Sequence, residues 1–171
     1  MKGSFLKHLR KMNTKSGNLI TLAEEREFDV IVHGCNCFHT MGGGIAAEIA
    51  RRYPEAEDSD NQTPYGDSSK LGDFSYAVTN GGNGFVIVNA YTQFRWSGFT
   101  DVFEYEAFDT FLNRLFSFVL RMRDRLDRTV NIGFPKIGCG LARGDEKRII
   151  EMLENFCDSI APYASVTLVV R

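Results

Sequence analysis

The chain has 171 residues, of which 43% are hydrophobic and 25% are charged, and its formal net charge is -2. This length is typical of one domain with one core, and the hydrophobic fraction excludes a disordered chain. The charge does not favour nucleic-acid binding, and no stretch approaches the roughly 20 apolar residues of a membrane helix. We therefore expect a cytoplasmic monomer with no membrane or nucleic-acid partner.

The N-terminal segment, residues 1–12, carries several basic side chains around few apolar ones. We expect it to be a disordered arm or a short surface helix, and we assign it no function. Residues 13–171 form the predicted domain, because no linker or internal repeat divides them. The four cysteines show no framework spacing, so we expect reduced thiols.

Runs rich in β-branched and aromatic residues predict five strands, and a shorter strand is expected before Gly17. In chain order the five strands cover residues 28–32, 74–79, 85–91, 130–134 and 166–170. Helical spacing of apolar residues predicts helices over residues 45–53, 108–122 and 149–160, the first of which ends before Pro54.

Two of the predicted strands contain continuous apolar runs, VIV at 30–32 and FVIV at 85–88, rather than alternating ones. Such runs are typical of a sheet with helices on both faces. In folds of this class, ligands bind at the carboxyl ends of the strands. We therefore expect the functional site in the segments that follow the strands.

The stretch HGCNCFHTMGGGIAAEI, residues 33–49, follows such a strand and allows several interpretations. His33, Cys35, Cys37 and His39 could bind zinc, but the spacing fits no common zinc motif, so we expect no metal and no cofactor. Cys35 or Cys139 could be a nucleophile activated by a histidine, although a buried cysteine is more often only part of the core. Neither interpretation explains the glycines.

The three glycines, Gly42 to Gly44, come immediately before a predicted helix. Free N–H groups at the start of a helix bind anions, and glycine lets the backbone approach them closely, although a tight turn would also use glycine. A second segment, FPKIGCGLARGD at 134–145, also follows a strand, contains three glycines and opens a helix. Two such loops predict a diphosphate held from both sides.

Together these residues resemble the macro domain family, which binds ADP-ribose. The matching segments are Gly17-Asn18-Leu19, His33-Gly34-Cys35-Asn36 with the following Met41 to Ala46, and Pro135 to Leu141. The likeness is greatest to the branch of ADP-ribose 1″-phosphate phosphatases, where a similar Arg-Tyr-Pro follows, here Arg52-Tyr53-Pro54. The resemblance implies a three-layer α/β/α fold with a central mixed sheet.

The resemblance also implies a set of ligand contacts. Asn18 stands where the family has an acid that contacts adenine; its amide oxygen accepts the same hydrogen bond without a charge. Asn36 corresponds to the asparagine beside the distal ribose, although an Asx turn is the alternative. The predicted binding residues are Asn18, Leu19, Asn36, Gly42, Gly43, Gly44, Ile45, Ile137, Gly138, Cys139, Gly140 and Leu141.

Our candidates for catalysis of phosphate removal are His33, Asn36 and His39. His33 could act as nucleophile or as general base, but strand alternation turns it away from the face of Asn36 unless Gly34 bends the chain. A core histidine is the alternative. Asp145 could serve as an acidic partner or as a helix cap.

Other macro domains have different activities, which are alternatives to the phosphatase. Macro domains that remove ADP-ribose from glutamate use a lysine and an acid where this chain has Ala90 or Asn89 and Ala142, so we do not expect that activity. A non-catalytic reader of ADP-ribose or of ADP-ribosylated proteins, or a deacetylase of O-acetyl-ADP-ribose, remains an alternative. The segment at 91–99 could line the cleft through Gln93, Phe94 or Trp96, or form a lid.

Overall fold

The computed structural model describes residues 12–96 and 100–171. The strands are β1 (Asn13–Ser16), β2 (Val30–Cys35), β3 (Phe74–Val78), β4 (Val86–Tyr91), β5 (Val130–Phe134) and β6 (Ala164–Val170). The helices are α1 (Leu19–Glu24), α2 (Gly44–Arg52), α3 (Pro54–Asn61), α4 (Tyr105–Leu126) and α5 (Glu146–Ile160).

The six strands form one sheet in the order β1-β6-β5-β2-β4-β3. All neighbouring pairs are parallel except β3 and β4, which are antiparallel. The sheet is therefore mixed, with β2 at its centre between β4 and β5. The carboxyl ends of these three strands lie at one edge, where the segments after them meet.

Successive side chains of the central strands point to opposite faces of the sheet, and both faces are buried. Val30 and Val32 of β2 belong to a core that includes residues of α4 and α5. Ile31 belongs to a second core that includes residues of α1, α2 and α3. The predicted three-layer α/β/α architecture is confirmed.

The strand predictions are confirmed with small shifts at their ends, and β1 is the short strand expected before Gly17. The three predicted helices correspond to α2, α4 and α5, with α4 longer at both ends than its apolar spacing indicated. Two helices, α1 and α3, were not predicted. In α3, Pro54 is the first helical residue, where its missing N–H costs nothing.

The predicted arm at residues 1–11 lies outside the described residues. Met12, which we assigned to this arm, is buried in the core formed with α4 and α5. Within the described ranges, no helix combines the length and the apolar character that are needed to cross a bilayer.

Candidate functional site

A cleft of about 480 Å³ opens at the carboxyl ends of β2, β4 and β5. This volume is in the range of small-molecule sites, which is about 300–1,000 Å³. Two segments form its main walls: the first glycine loop, residues 36–43 after β2, and the second glycine loop, residues 135–145 after β5. The lining residues are Gly34, Cys35, Asn36, Thr40, Gly42, Gly43, Gly44, Ile45, Ala46, Gln93, Trp96, Pro135, Lys136, Ile137, Gly138, Gly140, Leu141 and Ala142.

The first glycine loop is held by the side chain of Asn36. Its Oδ1 accepts a hydrogen bond from the Phe38 N–H at 2.8 Å, which is an Asx turn, and its Nδ2 donates to the Thr40 carbonyl at 3.0 Å. Nδ2 also lies 2.7 Å from Thr40 Oγ1. Asn36 is only 5% exposed but lines the cleft, so it shapes the loop and also borders the ligand space.

The start of α2 presents unused backbone donors to the cleft. Gly43 is the N-cap residue, and no described side chain caps the helix, which leaves the first N–H groups without a side-chain partner. Gly44 has φ +55°, a conformation that disfavours any other residue. Ideal Cβ atoms at Gly42 and Gly44 would have no heavy atom within 4 Å, so this backbone faces open space.

The second glycine loop is packed more tightly. Gly138 has φ +75°, and an ideal Cβ there would lie 2.3 Å from the ring of Phe103. The loop is closed by a hydrogen bond of 2.7 Å from the Gly144 N–H to the Gly138 carbonyl. Asp145 accepts a hydrogen bond from the Arg148 N–H and therefore serves as the N-cap of α5. Of the two roles that we predicted for Asp145, the structure shows the cap.

Lys136 is the one charged side chain among the described residues that line the cleft. Its Nζ lies 2.9 Å from Glu146 Oε1 at the start of α5, and 45% of its side chain is exposed. The hydrogen bond and the charge of Glu146 raise the pKa of Lys136, so its cationic form is favoured. Lys136 was part of our second motif, but we did not select it as a binding residue.

His33 lies in the core and does not line the cleft. Its side chain is 0% exposed, and its Nε2 lies 2.6 Å from Oδ1 of Asn89. Because an amide oxygen only accepts, Nε2 donates this hydrogen bond. Burial lowers the pKa of His33, although the bond to Asn89 opposes that effect. These are the features of a core histidine; a catalytic role for His33 stays a prediction.

His33 belongs to a hydrogen-bonded chain that extends beneath the first glycine loop. Asn89 Nδ2 donates to Ser75 Oγ at 3.0 Å, and Ser75 Oγ lies 2.8 Å from Tyr91 OH. The Tyr91 hydroxyl donates to Asp60 at 2.8 Å and lies 3.4 Å from Thr63 Oγ1, which is 3.2 Å from His39 Nε2. We call this set the buried polar network; its members are His33, Asn89, Ser75, Tyr91, Asp60, Thr63 and His39.

The thiols near the cleft are poorly suited to nucleophilic attack. Burial, with a further contribution from the Asp60 charge, raises the pKa of Cys35 well above its ordinary value, and burial also raises the pKa of Cys139. A thiol with a raised pKa has little thiolate at neutral pH. Among the described residues there is no group of three or more His, Cys, Asp or Glu side chains that could hold a metal ion.

Most of the predicted binding residues come together in the cleft, but some do not. Asn36, Gly42 to Ile45, Ile137, Gly138, Gly140 and Leu141 line it. Cys139 is not among the lining residues, nor are His39 and Leu19. Asn18 also lies elsewhere: it caps α1 through its Oδ1 and donates from Nδ2 to Glu48 at 3.2 Å. Its predicted contact with adenine stays a prediction.

Several lining residues were missed because they are distant in sequence or carry no motif. Thr40 precedes the glycines and could have been found from its hydroxyl in the same loop. Gln93 and Trp96, which we considered for the segment after β4, line the cleft, whereas Phe94 does not. Residues 97–99 of that segment lie outside the described residues, so its predicted role as a lid is untested.

No family model matches the chain. Among curated proteins it is similar to an uncharacterized 17.5 kDa protein from the tk-vs intergenic region of Enterobacteria phage T4, with 33% identity over 149 residues, 84% of this chain and 88% of the phage protein. A 28-residue segment is 54% identical to the ADP-ribose 1″-phosphate phosphatase of Saccharomyces cerevisiae, covering 16% of each protein.

Solved structures share the fold at low sequence identity. A protein from Bacteroides thetaiotaomicron has a TM-score of 0.74 at 17% identity and covers 93% of this chain and 99% of its own. The macrodomain of Thermus aquaticus DarG has a TM-score of 0.69 at 16% identity, with 94% and 98% covered. The Trypanosoma brucei macrodomain in complex with ADP-ribose has a TM-score of 0.59 at 13% identity, with 84% and 58% covered.

Proposed function

We propose that the cleft of this chain binds ADP-ribose, because the chain has the fold of macrodomain structures and belongs by sequence to the family of the phage T4 protein. We further propose that it hydrolyses ADP-ribose 1″-phosphate to ADP-ribose and phosphate. The first proposal concerns binding and the second concerns chemistry, and they rest on different observations.

The observation that carries the binding proposal is the cleft between the two glycine loops. The N-terminus of α2 supplies N–H groups and the positive end of a helix dipole, which favour a phosphate. Gly140 on the opposite wall has no heavy atom within 4 Å of an ideal Cβ, so this backbone also faces open space. A diphosphate between the two walls would meet backbone donors and one cation, Lys136. The ADP-ribose held by the Trypanosoma brucei macrodomain supports this assignment.

The hydrolysis proposal rests on the segment shared with the yeast phosphatase and on the same donors. In the reaction, a water oxygen attacks phosphorus and the bond between phosphorus and O1″ breaks. The proton from water passes to the ribose oxygen that leaves. Backbone N–H groups and Lys136 would stabilise the negative charge on the phosphoryl oxygens.

The position of His33 bears on which groups take part in the proton transfer. His33 lies behind Cys35, with its ring nitrogens 3.6 and 3.8 Å from Cys35 Sγ, and Cys35 lines the cleft. In this conformation His33 is a positioning residue for the floor of the cleft. We propose that Asn36, which lines the cleft, orients the attacking water through Oδ1, because its Nδ2 is already hydrogen-bonded to Thr40.

A second candidate function is ADP-ribose binding without catalysis. The described residues that line the cleft include no carboxylate and no imidazole, which are the usual groups for general acid and base catalysis. This observation supports the second candidate, a reader of ADP-ribose or of ADP-ribosylated proteins.

Phosphorus NMR with ADP-ribose 1″-phosphate separates these functions. Shifted diphosphate resonances together with growth of inorganic phosphate would support the phosphatase, and Asn36→Ala should then slow the growth. Shifted resonances without inorganic phosphate would support the reader. Unchanged diphosphate resonances at a large excess of protein would refute both.

A further inference from the structure

Aromatic rings from three separate segments form a group beside the cleft, and one of them, Trp96, lines it. Phe38 is at the centre of the group, with ring centroids 5.5 Å from Tyr65, 4.8 Å from Phe94 and 6.0 Å from Trp96. All three contacts are edge-to-face, a favourable geometry for aromatic pairs. We call Phe38, Tyr65, Phe94 and Trp96 the aromatic rim.

Two rings of the aromatic rim are exposed to an unusual degree. Tyr65 is 70% exposed and Trp96 is 56% exposed, and Trp96 lines the cleft. Leu141, which is 63% exposed, lines the cleft from the second glycine loop. These are the three most exposed large apolar side chains of the described chain. Tyr65 and Trp96 both pack on Phe38 and therefore form one exposed apolar patch, which indicates a binding surface.

The rim lies at the Asn36 end of the cleft. The Cys37 N–H donates to the Phe94 carbonyl at 3.0 Å, which joins the first glycine loop to the segment after β4. Asn36 and Gln93, the neighbours of these two residues, both line the cleft. If the diphosphate lies between the glycine loops as proposed above, and if Asn36 borders the distal ribose as the resemblance implies, a group on the anomeric carbon of that ribose points toward the rim.

We infer that the aromatic rim binds a planar heteroaromatic ring attached to the anomeric carbon of the distal ribose. This inference rests on the proposed binding of ADP-ribose and extends it to N-glycosides of ADP-ribose as a ligand class. A flat ring stacks on exposed indole and phenol faces, which a phosphate group cannot do. Among the described side chains that line the cleft, the one charged group, Lys136, belongs to the wall opposite the rim.

The chain offers a direct probe, because Trp96 is its only tryptophan. NAD⁺ is ADP-ribose with nicotinamide on the same anomeric carbon, so it is the ligand to compare with ADP-ribose. We expect NAD⁺ to quench the Trp96 fluorescence more strongly than ADP-ribose does and to bind about 5-fold or more tightly. ADP, which lacks the distal ribose, should quench least.

Variants measured by calorimetry complete the test. Trp96→Ala should remove the preference for NAD⁺, so that the ratio of the two dissociation constants approaches one, while Trp96→Phe should keep most of it. Tyr76→Ala is the matched control: Tyr76 is 49% exposed but packs on Phe118, away from the cleft, and its loss should leave the ratio unchanged.

The possible failures are distinguishable. Binding of ADP-ribose without any preference for NAD⁺ would overturn the inference and leave the proposed function intact. Equal quenching by ADP and NAD⁺ would also overturn it, because adenine would then occupy the rim. Absence of binding by all three nucleotides would refute the proposed function, and the inference with it.

Discussion

The two glycine loops border the same cleft, yet their glycines differ in surroundings. At Gly42 a Cβ would meet nothing within 4 Å, whereas at Gly138 it would lie 2.3 Å from the Phe103 ring. The loops also differ beneath the surface. The first rests on the buried polar network through His39, while the second packs on apolar side chains such as Phe103 and Ile149. A glycine in each loop, Gly42 or Gly140, therefore faces open space, whereas Gly138 is needed for packing.

The largest effect is expected at Gly138, where the packing explanation can be tested. Gly138→Ala introduces a Cβ at positive φ and against Phe103, which should lower the free energy of unfolding by about 2–5 kcal/mol. Gly140→Ala is the control in the same loop, because its Cβ meets nothing, and it should change stability by less than about 0.5 kcal/mol. Urea denaturation measures both; equal losses would contradict the packing explanation.

Because the buried polar network contains His33, we predict that the stability of the protein depends on pH. His33 has a pKa below its ordinary value of 6.5 in the folded protein, so the unfolded chain binds a proton more readily. Stability from this source is complete above about pH 6.5 and decreases as the pH falls toward the folded pKa, by up to about 1.4 kcal/mol per pH unit.

His33→Gln isolates this contribution, since glutamine retains a donor for Asn89 but does not titrate. The lowered pKa values of Asp29 and Glu48 act below their ordinary values of 3.8 and 4.5, in a separate pH range. Denaturation at about pH 7.5 and about pH 5.5 should show a decrease for the wild type that is much smaller in the variant. An equal decrease in both would assign the effect to other groups.

Gly42 tests whether the first loop serves ligand access. Gly42→Ala places a methyl group in open space beside the start of α2, so the free energy of unfolding should change by less than about 0.5 kcal/mol. ADP-ribose should nevertheless bind about 10-fold more weakly, because the methyl group keeps a phosphate from the backbone N–H groups. Calorimetry with ADP-ribose measures the affinity; unchanged affinity would place the ligand elsewhere.

The smallest effect is expected at Lys136, the one charged side chain among the described residues that line the cleft. Lys136→Met should weaken ADP-ribose binding about 2- to 5-fold at low salt, and the difference should shrink as salt is added. Lys147→Met is the control, since it removes the same charge from an exposed position on α5 that does not line the cleft. Equal effects of the two variants would indicate a general influence of net charge instead of contact with the ligand.

The sequence allowed the sheet to be predicted because its strands are apolar runs between turn residues. Helix α3 was missed because its sequence, PEAEDSDN, has little apolar periodicity, and Pro54 was read only as the end of α2. Helix α1 has six residues, too few for a clear period. Both helices are stabilised by packing against the sheet, which a local pattern does not reveal.

The glycine loops of the site were predictable because backbone approach to an anion needs small residues in a fixed place. The burial of His33 could not be predicted. Strand alternation shows that His33 and Asn36 point to opposite faces of the sheet, but it does not show how completely the face of His33 is covered. Trp96 and Lys136 reach the cleft only because the segments after three strands meet in space. The sequence motifs indicated the family, and the structure shows which of the motif residues line the same cleft.

The most direct test of the proposed site is a titration of ¹⁵N-labelled protein with ADP-ribose, followed by amide NMR. The two-loop cleft predicts the largest shifts at the amides of Gly42 to Ile45 at the start of α2 and of Gly138 to Leu141 on the opposite wall. Shifts confined to one wall would mean that the ligand is not held between the loops. Shifts at neither wall would contradict the assignment of this cleft as an ADP-ribose site.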